Sequence, residues 1–132
     1  MRTSPGFITS LKPNQVFVFG SNTEGIHGGG AARIAHQKFR AIYGQARGLQ
    51  GQSYAIVTKD LKKGMRSIDL EEIRKEVNEL LTFATINPHL EFLVTRFGCE
   101  LAGYEEREIG EMFRGKVIPD NILLPQSFLQ YL

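Results

Sequence analysis

Hydrophobic and polar residues along this chain fall into two repeating patterns. Short continuous apolar runs bounded by turn residues predict buried strands, and longer segments with apolar residues at helical spacing predict helices. Their alternation predicts an α/β fold with three layers, α/β/α, in which helices cover both faces of a mainly parallel or mixed central sheet. The predicted strands span 16–19, 54–58, 92–95 and 121–124, and the predicted helices begin near Ala31, Asp69 and Glu105.

Local signals set the expected boundaries of these elements. Residues 1–14 contain two prolines and are expected to form an irregular arm, in which Phe7-Ile8 offers a short edge strand. Gly44 marks the expected end of the first helix, and the polar segment after it predicts a loop. Asp69 is the expected N-cap of the second helix, with Glu72 in capping-box position.

The composition is that of an ordinary globular chain. With 132 residues, of which 42% are hydrophobic, residues 1–132 are expected to form one domain with a sizeable core. The 16 basic and 14 acidic residues are spread along the chain, so nucleic-acid binding is not indicated. No apolar run approaches the roughly 18 residues that a membrane span needs, and a single cysteine excludes an internal disulfide. These features predict a cytoplasmic protein with no cofactor, and they leave the oligomeric state open.

The stretch Gly20–Ala32 carries the strongest chemical signal. A Gly-rich turn between a strand and a helix N-terminus is typical of phosphate sites, because unpaired N–H groups and the helix dipole attract anions. The stretch has neither the Walker pattern nor the dinucleotide glycine spacing. Asn22 is the side chain best placed to contact a ribose or a scissile bond, and His27, which as a lone loop histidine is expected to be solvated, lies among the glycines. The candidate phosphate donors are the backbone N–H groups of Gly28, Gly29, Gly30 and Ala31.

Two further loops leave the predicted carboxyl ends of strands and converge on the same crevice. Lys59 directly follows the predicted second strand, where it either neutralises a phosphate, acts as a nucleophile or base, or is simply a surface lysine. In the third loop, residues 96–104, Gly98 and Gly103 permit close approach of a ligand to the backbone. Cys99 is expected to be a small buried residue rather than a nucleophile. The nearby carboxylates that offer an acid or base are Glu100, Glu105 and Glu106.

These three loops together resemble macro domains, and most closely the branch that removes ADP-ribose from glutamate. The segment 28–35 resembles the family's glycine-alanine helix start, and Thr58-Lys59 resembles its strand followed by Thr-Lys. The segment 96–102 resembles the family's Arg-Ile-Gly-Cys-Gly-Leu-Asp loop. The order and spacing of these three motifs agree with the family from about Val16 to Leu124. The chain thus resembles a divergent member of bacterial or phage type.

The resemblance implies a macro-like fold with a crevice shaped for ADP-ribose. It implies that the Gly28–Ala31 and Gly98–Gly103 loops hold the diphosphate, and that Lys59 is the catalytic lysine. The chain departs from the family in two places. Ala102 occupies the position of the catalytic aspartate, and Glu100 replaces a glycine of the phosphate loop.

Three functions follow from these observations. The first is binding of ADP-ribose or a related nucleotide in the crevice. The second is hydrolysis of an ADP-ribosyl glycosidic bond by Lys59, with Glu100 or Asp60 in place of the missing aspartate. The third is a non-catalytic interaction module with a relic pocket and an exposed apolar patch at 127–132.

Overall fold

A computed structural model describes residues 2–132. Six strands form one mixed sheet in the order β1-β6-β5-β2-β4-β3. All neighbouring pairs are parallel except β3 and β4, which are antiparallel. The predicted α/β class and mainly parallel sheet are therefore confirmed. The strands are β1 (Thr3–Ser4), β2 (Gln15–Asn22), β3 (Gly48–Gln50), β4 (Ser53–Lys59), β5 (Glu91–Val94) and β6 (Ile122–Pro125).

Helices cover both faces of this sheet, as the apolar runs predicted. They are α1 (Gly30–Lys38), α2 (Leu70–Ile86) and α3 (Glu106–Gly110), with short 3-10 helices at Glu111–Phe113 and Gln126–Tyr131. Side chains alternate between the two faces of a strand, so Phe17 and Phe19 of β2 pack with α1. Val16 and Val18 point to the other face, where they join the larger core formed with α2 and α3.

The C-terminal segment docks on this larger core. Phe128 is fully buried, and its ring lies 6.3 Å from that of Phe97 and 6.1 Å from that of Phe113. The expectation of an exposed apolar patch at 127–132 is therefore wrong for its central aromatic residue. The reason is that the 3-10 helix turns Phe128 inward, which removes a large apolar surface from water.

In the N-terminal half of the chain, three predicted elements differ from those in the structure. Within the predicted arm, of which Met1 lies outside the described residues, the edge strand is β1 rather than Phe7-Ile8. Helix α1 ends at Lys38, not at Gly44, because Arg40 takes a left-handed φ of 60° that breaks the helix. The polar segment expected to be a loop contains β3, which pairs with β4.

Helix α2 begins where the sequence indicated, with Asp69 as its N-cap. The predicted capping box is not formed, because the Asp69 side chain makes no cap hydrogen bond and Glu72 instead pairs with Lys75 at 3.4 Å. A capping box exists at α3, between Glu105 and Glu108. Within residues 2–132, no helix is long and apolar enough to cross a membrane.

Candidate functional site

The carboxyl ends of β2, β4 and β5 lie at one edge of the sheet because these strands are parallel. Three adjoining spaces open along this edge. The central crevice, of about 90 Å³, is lined by Gly20, Gly30, Ala31, Arg96, Gly98, Glu100 and Leu101, among others. The lysine pocket, of about 230 Å³, is lined by Asn22, Gly28, Lys59, Leu61, Leu101 and Ala102, among others. The apolar groove, of about 490 Å³, is lined by Phe7, Phe17, Ile34, Val94 and Pro125, and also by Gly30, Ala31, Arg96 and Glu100.

The N-terminus of α1 presents unused donors to the central crevice. The first helical hydrogen bond runs from the Arg33 N–H to the Gly29 carbonyl at 3.3 Å. The N–H groups of Gly30, Ala31 and Ala32 therefore have no acceptor among residues 2–132, and no side chain caps the helix. Gly30, the first residue of α1, has a φ of +57°, a left-handed conformation that favours glycine.

The third loop contributes a second set of donors. Its turn uses the N–H groups of Cys99, Gly103 and Tyr104, which donate to carbonyls of Arg96, Glu100 and Gly98 at 3.1, 3.1 and 2.8 Å. Other N–H groups of this loop have no acceptor within the described chain. They include those of Gly98, Glu100, Leu101 and Ala102.

Gly20, in β2, allows this third loop to approach the sheet closely. A methyl group placed on Gly20 would lie 3.2 Å from the Gly98 backbone nitrogen and 3.1 Å from the Thr58 hydroxyl oxygen. Both distances are shorter than ordinary van der Waals contact. The glycine is therefore required by packing at the floor of the crevice, and not by its φ angle.

Leu101 lines both the central crevice and the lysine pocket. A methyl group placed on Gly29 would lie 3.2 Å from the Leu101 Cδ1 atom, and one placed on Gly30 would lie 3.3 Å from it. The leucine side chain thus covers the glycines, and it is itself 59% exposed. Sequence reasoning did not single out this side chain, because it selected the third loop for its backbone.

Asn22 lines the lysine pocket but is largely occupied by its own turn. Its Oδ1 accepts hydrogen bonds from the N–H groups of Glu24 and Ile26 at 3.2 and 3.0 Å, and its Nδ2 donates to the Ile26 carbonyl at 2.7 Å. One amide N–H stays available. The predicted ribose contact stays a prediction, restricted to that single donor.

His27 is buried, contrary to the expectation of a solvated loop residue. Only 2% of it is exposed, and its Nε2 lies 2.9 Å from the Ile42 carbonyl and 3.1 Å from the Gln50 Oε1 atom. Both partners are acceptors, so Nε2 carries the proton, while Nδ1 has no partner within residues 2–132. His27 therefore anchors the Gly-rich loop to the segment before β3 and does not line the crevice.

The two residues predicted to act in catalysis lie in different spaces. Lys59 lines the lysine pocket, together with Ala102, and makes no ion pair within the described residues. Glu100 lines the central crevice and the apolar groove, and not the lysine pocket. The Asp60 carboxylate accepts a hydrogen bond from the Lys62 N–H at 3.0 Å. Lys59 therefore shares a space with Ala102, and Ala102 also lines the central crevice with Glu100.

Arg96 is a site residue that the sequence reasoning did not select. It lines both the central crevice and the apolar groove, and its guanidinium lies 3.2 Å from the Glu106 carboxylate and 4.0 Å from the Glu100 carboxylate. Arg96 lies two residues after the end of β5, and Lys59 is the last residue of β4. A basic residue at the carboxyl end of a strand is the signal that selected Lys59, and the same signal points to Arg96.

Cys99 and Gly103, two of the predicted contact residues, do not line any of the three spaces. Burial raises the pKa of the Cys99 thiol to about 12, so the thiol is protonated at neutral pH, as expected for a small packed residue. Gly103 has a φ of +84°, and a methyl group on it would lie 3.3 Å from the Met65 Cβ atom. Their roles as direct ligand contacts stay predictions. Among residues 2–132, no group of three or more His, Cys, Asp or Glu side chains is placed to hold a metal ion.

No protein-family model, no curated protein and no solved structure matches this chain. The macro-domain resemblance therefore stays a prediction that depends on the residues of the three loops.

Proposed function

We propose that this protein binds ADP-ribose or a related nucleotide, with a phosphate group at the N-terminus of α1. The observation that carries the proposal is the set of unused N–H groups on both sides of the central crevice, from Gly30–Ala32 and from the third loop. Backbone donors at a helix N-terminus attract anions through both hydrogen bonds and the helix dipole. The resemblance of these two loops to the diphosphate loops of macro domains supports the same ligand class.

The nucleoside part of the ligand would lie in the apolar groove. Gly30 and Ala31 line both the groove and the crevice, so a phosphate at α1 and a base in the groove belong to one ligand. The groove volume of about 490 Å³ lies in the range of roughly 300–1,000 Å³ that small-molecule sites occupy. Its walls include Phe7, Phe17 and Pro125, which suit the flat faces of a base.

Binding requires Leu101 to move. The central crevice of about 90 Å³ is too small for a diphosphate and its sugars while the leucine side chain covers Gly29 and Gly30. Since most of the side chain is exposed, its rotation exposes little additional apolar surface. Leu101→Ala is therefore expected to bind ADP-ribose more tightly than the wild type.

Calorimetric titration with ADP-ribose, ADP, AMP and adenosine tests the proposal. Ala31→Asp places a carboxylate among the phosphate donors while remaining favourable for the first turn of α1, so we expect a folded protein that no longer binds the phosphorylated ligands. Ala31→Asn is the matched control without charge and is expected to retain binding. Absence of binding by the wild type to every nucleotide at millimolar concentration would overturn the proposal.

A second candidate function is hydrolysis of an ADP-ribosyl bond in the lysine pocket. The observation that favours it is that Lys59 and Ala102 line the same small space, so an aspartate at 102 would lie near the lysine. A carboxylate in such a place provides the general acid or base that a glycosidic reaction needs. Glu100 does not line the lysine pocket, which argues against it as the substitute.

Assay of release of ADP-ribose from modified glutamate separates binding from catalysis. If the wild type is a hydrolase, Lys59→Ala is expected to abolish turnover while Lys62→Ala, in the same loop, leaves it intact. If the missing acid is the only defect, Ala102→Asp gains turnover that Ala102→Asn does not. Wild-type and Ala102→Asp proteins that both bind ADP-ribose without releasing product would exclude this second function.

A further inference from the structure

We propose that Arg96 recognises the phosphate of the ligand, and that Glu100 is an internal anion which the phosphate must displace from it. The inference deepens the proposed function and rests on it. It assigns specificity to the junction between the central crevice and the apolar groove, since Arg96 and Glu100 line both spaces. The expected ligands are those whose phosphate carries enough negative charge to displace the Glu100 carboxylate from Arg96.

The first observation is the state of the Arg96 guanidinium. The Arg96 side chain is 45% exposed, and within residues 2–132 its guanidinium makes ion-pair contacts but no hydrogen bond of good geometry. A guanidinium has five N–H donors in a planar fork that matches the oxygens of a phosphate. The donors of Arg96 are therefore available to a bidentate anion.

The second observation is the difference between the two carboxylates that flank Arg96. Glu106 lies 3.2 Å from Nη2, and its second oxygen, Oε2, is buried without a partner. Glu100 lies 4.0 Å from Nη1, and its side chain is 65% exposed. The contact with Glu106 holds the arginine in place, whereas a long and exposed ion pair such as that with Glu100 is weak and easily exchanged.

The charge balance explains why Glu100 acts as a competitor. Arg96 carries one positive charge between two carboxylates, so the junction has an excess of negative charge that opposes an incoming phosphate. When Glu100 swings into solvent, the same guanidinium faces the free N–H groups of Gly30 and Ala31 across the crevice lining. A phosphate at that position receives donors from a helix N-terminus and from an arginine together.

The test is a double-mutant cycle read by calorimetry with ADP-ribose and with adenosine as the uncharged control ligand. Glu100→Gln keeps the side-chain size and removes the charge, and we expect about tenfold tighter binding of ADP-ribose and little change for adenosine. Arg96→Gln is expected to weaken ADP-ribose binding by about tenfold or more. In Arg96→Gln, the added Glu100→Gln change is expected to bring much less gain, because no guanidinium remains for the carboxylate to occupy.

Control variants and salt dependence distinguish recognition from a loss of folding. Arg96→Lys keeps the charge without the fork and is expected to bind more weakly than the wild type and more tightly than Arg96→Gln. Glu71→Gln and Arg114→Gln, at exposed positions outside the three spaces, are expected to leave affinity unchanged. Added salt is expected to weaken binding to the wild type more than binding to Arg96→Gln.

The outcomes separate this inference from the function on which it rests. If the wild type binds ADP-ribose and neither Glu100→Gln nor Arg96→Gln changes the affinity, the role of the pair is wrong and the proposed function stands. If only Glu100→Gln binds, the opposition between Glu100 and the phosphate is supported, and the proposed function fails for the wild type. If no variant and no wild type binds, both proposals fail together.

Discussion

Replacing Gly25 with alanine is expected to destabilise the Gly-rich loop by a specific mechanism. Gly25 has a φ of +66°, and a methyl group on it would lie 2.6 Å from both the Gln45 nitrogen and the Gly44 carbonyl carbon. Real contacts of this kind stay above about 3 Å, and backbone atoms cannot rotate away as a side chain does. The substitution therefore forces the loop away from the segment that holds His27.

The magnitude follows from two additive costs. A left-handed backbone costs an alanine roughly 1–2 kcal/mol, and an overpacked contact costs about 1–3 kcal/mol more. The sum is about 2–5 kcal/mol of unfolding free energy, out of the roughly 5–15 kcal/mol of a typical domain. For a chain of this size, about 4 °C of melting temperature corresponds to each kcal/mol, so Gly25→Ala is expected to melt some 8–20 °C lower.

Gly44→Ala is the matched control, since it isolates the backbone cost. Gly44 has a φ of +96° with open space around the added methyl group, and its N–H donates to the Gly25 carbonyl at 2.8 Å. We expect a loss of only about 1–2 kcal/mol there. Thermal melts followed by circular dichroism measure both. A Gly25→Ala protein as stable as Gly44→Ala would show that the loop does not pack on Gln45 in this way.

Three further predictions concern packing, pH and thiol chemistry. Phe128→Ala is expected to cost about 3–5 kcal/mol of unfolding free energy in urea titrations, because a fully buried ring leaves a cavity; a loss below 1 kcal/mol would contradict docking of the C-terminal segment. Hydrogen bonds from Arg66 lower the pKa of Glu108 from 4.5 to about 2, so its stabilising contribution is complete above pH 4.5 and is lost as the pH falls to about 2. The melting-temperature difference between the wild type and Glu108→Gln should therefore shrink over that interval, and a constant difference would refute the role of the charge. With a pKa of about 12, Cys99 is about 10⁻⁴ thiolate at pH 8 and should react far more slowly with a disulfide reagent than in the urea-unfolded chain; equal rates would contradict its burial.

The local patterns predicted most of the fold because their physical causes are local. The apolar run at 16–19 falls within β2, and the helical stripe that follows Asp69 became α2 with that N-cap. The same reasoning failed where long-range packing decided the outcome. Strand β3 has little apolar content and forms because it pairs with β4. The spacing of hydrophobic residues does not reveal such a pairing.

For the candidate site, the sequence determined that three loops leave the same edge of the sheet. The glycines at 28–30 and Lys59, which strand ends and turn residues single out in the chain, line spaces there, and their roles toward a ligand stay predictions. The sequence also placed Cys99 among packed residues rather than nucleophiles, in agreement with its raised pKa.

The relation of these residues to one another depends on tertiary packing. In the folded chain Leu101 lies over the glycines, His27 is buried against the segment before β3, Lys59 and Glu100 line different spaces, and Arg96 lines the crevice. Each of these facts joins groups that are distant in sequence, or depends on which way a loop side chain points. Their positions follow from strand register and loop packing, whereas hydrophobic period records only which face of an element is buried.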